Sequence, residues 1–369
     1  MAKPGGAICN LDCAYCFYLA KELLYPGSRF EMAHDLHETY VRQLLESHGV
    51  GEVVMAWQGG EPTILGLDFF RRTIELQRKY ARPGQRVLNT LQTNGTLIDD
   101  AWARFLREHR FLVGISIDGP EELHDRFRVD KGGKPTFARA LRGLEKLQEH
   151  GVEWNVLTCV HAGNGDAGVR VYRFLRDDLR ARHLQFIPVV ERAARAGSTG
   201  AVGESSVGPE QYGRFLVEVF DEWVAADVGR VFVQLFDTTF ARWLGLPGGL
   251  CVHEETCGRQ VALEHTGDLY ACDHFVEPRF RLGNIRQSHL LALVDSPQQR
   301  RFGLAKRETL TAQCRSCDVR PLCNGGCPKD RFALSSDGEP GHNYLCEGYG
   351  LFFRHVRPAL RDLAELAAS

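Results

Sequence analysis

Between residues 50 and 225, short apolar runs alternate with stretches in which apolar residues recur every three or four positions. The first kind reads as strand and the second as amphipathic helix, because side chains repeat with period two along a strand and about 3.6 around a helix. Val53–Trp57 is a predicted strand, followed by a helix over Asp68–Tyr80 with Asp68 as its N-cap and Phe69, Phe70, Ile74 and Leu76 as its apolar positions. Val87–Gln92 is the next strand, then a helix carrying Trp102, Phe105 and Leu106. Leu112–Ile117 follows. Its helix runs from a Thr136 cap through Phe137, Leu141, Leu144 and Leu147 to a stop at Gly151. Trp154–Val160 and Leu184–Val189 are two further strands, with a helix between them marked by Val171, Phe174 and Leu175. Another helix begins with Pro209 at N1 and carries Tyr212, Phe215, Leu216, Val219 and Trp223.

A short strand ahead of Cys9 brings the count to six. Strands separated by helices join as right-handed βαβ units, so the pattern predicts an α/β fold with a parallel sheet. Six units are too few for a closed eightfold barrel and suit an open, partial (β/α)6 barrel of the TIM type. In such sheets ligands bind beyond the carboxyl ends of the strands. Those ends read Gln58-Gly59-Gly60-Glu61-Pro62, Gln92-Thr93-Asn94-Gly95, Ser116-Ile117-Asp118-Gly119, Val160-His161 and Pro188-Val189-Val190. Any one of them is an ordinary turn, since Gly and Asn are common turn formers. Their recurrence along one rim argues for a site lined by several loops.

Length and composition narrow the partners. A chain of 369 residues is long enough for two domains or for one large domain with an extension, and its net charge of −2 gives no reason to expect nucleic acid or an anionic membrane as a partner. No apolar run approaches the roughly 18 residues of a membrane span, and no basic-then-apolar signal segment opens the chain. A cytoplasmic location is expected, where thiols stay reduced and clustered cysteines bind metal.

Twelve cysteines then change the picture. Cys9, Cys13 and Cys16 lie within eight residues, too close to pair with one another without strain, and a pair would leave one over. They can wrap one corner of a metal cluster. A [4Fe–4S] cluster takes four thiolates, so three leave one iron open, and open coordination marks a reaction centre. The bland alternatives are a fragment of a zinc site or scattered core cysteines. A second field runs Cys251-x5-Cys257-x14-Cys272, then Cys314-x2-Cys317-x5-Cys323-x3-Cys327-x18-Cys346. Its eight thiolates make two complete sets of four, which need no external ligand and suit structure or electron transfer. Tetrahedral zinc would use similar pairs. Cys159 stands apart in an apolar run and is expected to be a small buried hydrophobe.

The spacing C-x3-C-x2-C followed by Phe17 resembles the signature of radical S-adenosylmethionine (SAM) enzymes, and the second field resembles the SPASM twin-cluster extension. Across nearly the whole chain, Cys13–Tyr18, Trp57–Thr63, Leu91–Ile98, Val113–Pro120, Leu184–Ile187 and Tyr270–His274 resemble the anaerobic sulfatase-maturating enzymes. That resemblance implies a radical SAM partial barrel over residues 1–230, a cysteine-rich auxiliary iron–sulfur domain over 231–350 and a C-terminal helix over 351–369. It implies oxidation of a cysteine or serine in a sulfatase, within a Cys/Ser-x-Pro-x-Arg type motif, to Cα-formylglycine.

The implied cofactors are SAM and three [4Fe–4S] clusters, fed by a low-potential donor such as flavodoxin or ferredoxin. Cys9, Cys13 and Cys16 would hold the first cluster. Cys251, Cys257, Cys272 and Cys327 would hold the second, and Cys314, Cys317, Cys323 and Cys346 the third. Tyr15, Gly59, Gly60, Glu61, Ser116, Arg128 and Val190 match SAM-contacting positions, and Asp273, directly after Cys272, matches the proposed base. An alternative within the same architecture is a maturase that installs thioether or carbon–carbon cross-links in a ribosomal peptide. Relatives carry a fuller first strand than the eight residues ahead of Cys9 allow, so that strand is expected to be weak.

Overall fold

The computed structural model describes residues 1–49, 51–192, 202–258 and 260–368. The chain divides into two compact units, each assembled from several segments. One comprises Met1–Ser116, Arg128–Asn155 and Gly258–Gly303, and the other Ile117–Phe127, Val156–Cys257 and Leu304–Ser369.

The strands are β1 (Ala2–Lys3), β2 (Gly51–Trp57), β3 (Gln85–Thr93), β4 (Leu112–Ser116), β5 (Glu153–Val160), β6 (His183–Pro188), β7 (Phe232–Val233), β8 (Ala262–Glu264), β9 (Asp268–Tyr270) and β10 (Arg281–Asn284). In the first unit β1, β2, β3 and β4 are neighbours in that order and parallel, with Gly51 opposite Gln85 and Trp57 opposite Leu91. The short β1 is braced on both sides, because Ala2 pairs with Trp57 of β2 and with Leu263 of β8. The antiparallel strands β9 and β10 extend the sheet beyond β8. In the second unit β5, β6 and β7 pair in parallel. All six strands read from the sequence are present, and the α/β class with a parallel-strand sheet is borne out.

The crossovers follow the apolar periodicity. Phe70 of the helix Gly66–Tyr80 packs edge-on against Trp57, Trp102 and Phe111, with ring centroids 5.9, 5.4 and 6.2 Å away. Truncating such a ring typically costs about 3–5 kcal/mol. Asp68 is not the N-cap: Gly66 already begins that helix after Leu65, and Asp68 lies exposed in its first turn, paired with Arg71 at 2.7 Å. Thr136 does occupy the N-cap position of the helix Phe137–Glu149, but its hydroxyl donates to the Arg128 carbonyl at 2.7 Å and makes no capping hydrogen bond. The helix His34–Glu46, ahead of the alternation read from the sequence, was missed. Its buried stripe of Leu36, His37, Tyr40, Val41 and Leu45 includes polar-looking members that blur the period. Cys159 is half-buried, because Val156, Thr158 and Val160 take the buried face of β5 and leave Cys159 on the other.

In the second unit the helix Pro209–Ala226 buries Tyr212, Phe215, Leu216, Val219 and Trp223, and packs against the helix Cys346–His355. The helix Arg357–Ala368 follows after one break. A hairpin of Arg331–Leu334 and Pro340–Asn343 carries residues around the last cysteines.

Candidate active site

The three-cysteine loop is fastened to the strand ends by backbone pairing. Beyond β1, residues 2–8 are zipped to the turn after β2: Gln58 N–H donates to Ala2 O at 2.9 Å, Gly60 N–H to Gly6 O at 2.8 Å and Glu61 N–H to Ile8 O at 2.8 Å. Gly60 is required by that closeness, since a Cβ there would lie 2.0 Å from the Ile8 oxygen. The Glu61 carboxylate is buried and occupied by protein donors. Its Oε1 accepts from Thr63 N–H at 3.0 Å, Thr63 Oγ1 at 2.5 Å and Thr93 Oγ1 at 2.8 Å, and its Oε2 from Asn94 N–H at 2.7 Å. Burial raises the Glu61 carboxyl above its ordinary value, and these donors work against that rise.

At the loop itself, Cys16 N–H donates to Cys13 O at 2.9 Å, closing a turn between two of the thiols. Cys9 Sγ accepts from Leu11 N–H at 3.4 Å and from Asn94 Nδ2 at 3.8 Å. Burial pushes the Cys9 thiol up to about 11, and the nearby charges of Glu61 and Cys16 add to the rise. A thiolate in this setting needs positive charge, which an iron–sulfur core brings. None of the cysteines is in a disulfide.

Most of the residues expected to contact SAM belong to the first unit. Arg128 is buried and stands over the Tyr15 ring, 5.5 Å from its centroid, so it is not a solvated loop arginine. Ser116 ends β4, buried, and its hydroxyl accepts from Gln92 Nε2 at 3.1 Å. Gly59 and Gly60 occupy the turn described above. Val190, buried just beyond β6, belongs to the second unit.

Asp273 begins a short turn, Asp273–Phe275, directly after Cys272, and its Oδ1 lies 3.4 Å from Cys272 Sγ. The His274 ring packs 4.8 Å from that of Phe17, which brings this turn to the residue following Cys16. Burial alone would raise the Asp273 carboxyl, but the charges of His274 and Lys3 hold it below its ordinary value. Lys3 was not foreseen. It is a β1 lysine only 2% exposed, with its ammonium 3.9 Å from the Tyr18 ring centroid, while the Tyr18 hydroxyl donates to Glu264. Nothing in the local sequence distinguishes it from a surface lysine.

The second cysteine field divides between the units. Cys314, Cys317, Cys323 and Cys346 all line one cavity of about 380 Å³ in the second unit. Burial raises the Cys323 thiol to about 12 and the Cys346 thiol to about 11, with neighbouring cysteine charges contributing to both. Four thiols lining one cavity fit a four-thiolate iron–sulfur group. Cys251, Cys257 and Cys327 also lie in the second unit, whereas Cys272 lies in the first.

Two cations the sequence reading passed over stand among these thiols. Lys306, 1% exposed, donates to Cys251 O at 2.7 Å and Val252 O at 2.9 Å, and its charge acts on Cys257. Arg331 donates to Gly325 O, Asn324 O and Lys306 O at 3.0, 3.0 and 2.5 Å. Gly325 and Gly326, at φ +72 and +62, let the chain turn sharply between Cys323 and Cys327.

A strand-end three-thiol loop, followed by a second thiol field, defines the class of radical SAM enzymes with auxiliary clusters, and comparison with known proteins agrees. The Radical SAM superfamily model matches residues 4–175, and an iron-sulfur cluster-binding domain model matches 251–318. The chain is 44% identical over 370 residues to the serine-type anaerobic sulfatase-maturating enzyme of Bacteroides thetaiotaomicron, covering 97% of this chain and 89% of the relative. It is 34% identical to the cysteine-type enzyme of Clostridium perfringens, covering 99% and 97%. The solved structure of native anSMEcpe with bound AdoMet and Cp18Cys peptide superposes with a TM-score of 0.89 at 34% identity, covering 99% of this chain and 98% of that one. The chain belongs to the anaerobic sulfatase-maturating enzymes.

Proposed function

We propose that this protein oxidises a specific cysteine or serine of a sulfatase polypeptide to Cα-formylglycine. The observation that carries the reading is the 44% identity, over nearly the full length of both chains, to a serine-type sulfatase-maturating enzyme. Cys9, Cys13 and Cys16 hold the reactive [4Fe–4S] cluster in this reading. Tyr15, Gly59, Gly60, Ser116, Arg128 and Val190 receive SAM, and Glu61 ties their turn to the cysteine loop. Arg128 is suited to the SAM carboxylate, because a guanidinium offers paired donors to a carboxylate. Cys251, Cys257, Cys272 and Cys327 hold one auxiliary cluster, and Cys314, Cys317, Cys323 and Cys346 the other.

When bound, these groups would supply the one-electron chemistry that removes a hydrogen atom from the substrate Cβ, and an acceptor for the second electron. Asp273 takes the thiol or hydroxyl proton of the substrate. The Lys3 and His274 charges keep its carboxylate ionised and ready to accept. The polypeptide substrate carries a Cys/Ser-x-Pro-x-Arg type motif, the electron donor is a flavodoxin or ferredoxin, and the reaction runs in the cytoplasm. Among the described residues no helix is long and apolar enough to cross a membrane.

The test is to incubate the reduced protein and SAM with peptides bearing Cys-x-Pro-x-Arg or Ser-x-Pro-x-Arg. Aldehyde formation is expected as loss of two hydrogens from serine, or loss of two hydrogens with exchange of sulfur for oxygen at cysteine. Formation of 5′-deoxyadenosine with neither peptide altered would point to another substrate.

A further inference from the structure

The loop after β3 reaches the first cysteine of the reactive loop through a single side chain. Asn94 is buried, 8% exposed, and its backbone N–H is fixed on Glu61 Oε2 at 2.7 Å. Its side-chain oxygen accepts from Thr96 N–H at 3.0 Å and from Thr96 Oγ1 at 2.7 Å. With the oxygen so engaged by two donors, the amide has one orientation, and its NH2 faces the cysteine loop. There Nδ2 donates to Asn10 Oδ1 at 2.9 Å and reaches Cys9 Sγ at 3.8 Å. Asn10 closes the ring by donating from its own Nδ2 to Thr96 Oγ1 at 2.8 Å. Three side chains and one backbone group therefore lock an N–H against the Cys9 sulfur, beside the Leu11 N–H at 3.4 Å.

Hydrogen bonds to cluster sulfurs help set the reduction potential of an iron–sulfur centre. A donor aimed at a thiolate stabilises the more negative, reduced state, so it raises the potential at which the cluster takes an electron. We infer that Asn94 is a positioning residue for the three-cysteine cluster, clasping Cys9 and making that cluster easier to reduce. The inference rests on the reading of Cys9, Cys13 and Cys16 given under the proposed function.

Two variants separate the clasp from its charge. Asn94→Asp keeps the shape and an oxygen for Thr96, but exchanges the donor for an acceptor with negative charge. Asn94→Ala removes the group altogether. Each full-length variant, with clusters loaded and iron counted, is titrated anaerobically while its paramagnetic signals are followed with and without SAM. The signal that SAM perturbs belongs to the cluster with an open iron.

Its midpoint is expected to fall in both variants and further in Asn94→Asp. The expected drop there is about tenfold in the reduced-to-oxidised ratio at fixed potential, which is 59 mV for one electron. Signals insensitive to SAM should not move. Loss of only the SAM-sensitive cluster from both variants would also support the clasp. An unchanged midpoint in both, with iron retained, overturns it. A wild-type protein without any SAM-sensitive signal would instead overturn the three-cysteine reading itself.

Discussion

At Asp273 two influences oppose each other. Burial favours the neutral acid, while Lys3 and His274 favour the charged carboxylate and prevail. The group is therefore a base that is ionised at neutral pH, held beside Cys272 on a turn packed against Phe17. Asn at this position keeps the shape and loses the ability to accept a proton. Asp273→Asn is expected to go on cleaving SAM, because the cysteine loop is untouched, while aldehyde product falls by about 10²–10⁴-fold, the usual contribution of a general base. The measurement is the ratio of 5′-deoxyadenosine to modified peptide, and a normal yield of peptide product would remove Asp273 from the mechanism. At this scale the sequence was a good guide to identity and a poor one to surroundings. Asp273 stood out because it follows a cysteine, but Lys3, Lys306 and Arg331 carry no local signal, since only folding places a cation among thiols or against a carboxylate.

Between elements, the helix His34–Glu46 docks on Gly66–Tyr80 through a histidine. The His37 ring stacks on Phe69 with centroids 4.1 Å apart, and its Nε2 lies 3.0 Å from the Thr73 hydroxyl. Burial, with the Arg72 charge behind it, pushes the His37 imidazole down to about 3. In the unfolded chain the same group titrates near about 6.5. Between those values the unfolded state binds a proton that the folded state refuses. Stability from the neutral ring is thus complete above pH ~6.5 and is lost as pH falls towards 3, at up to about 1.4 kcal/mol per pH unit. Urea midpoints measured from pH 7 to pH 4 should fall more steeply for the wild type than for His37→Gln, which does not titrate there. Parallel slopes would mean that the ring takes up its proton without leaving the interface. This helix was illegible in sequence because His37 and Gln43 interrupt its buried stripe, whereas the helices Asp100–Glu108 and Phe137–Glu149 bury no polar side chain and show their period plainly. Asp68 misled for a related reason: a capping residue type in a first turn looks like a cap until the chain is seen to turn helical two residues earlier.

Across the whole molecule, the three thiolate sets predict about twelve irons per chain at four per cluster. Replacing Cys9, Cys13 and Cys16 together by alanine should leave about eight, a brown protein that no longer cleaves SAM. Iron counts and absorbance check this, and an unchanged iron spectrum in the triple variant would refute the open-cluster assignment. The sequence by itself determined the strand–helix alternation, the parallel α/β class, the cysteine loop and the glycine-rich turn, because each is set by residues near one another in the chain: period, cap, spacing. Only the tertiary structure decided that β1 survives on two residues by pairing with β2 and β8, and that Glu61 and Asn94 join one turn to Cys9. It alone placed four thiols from Cys314 to Cys346 around one cavity. Those outcomes depend on contacts between residues far apart in sequence, whose formation is settled by which surfaces can be buried together and which polar groups must then find partners.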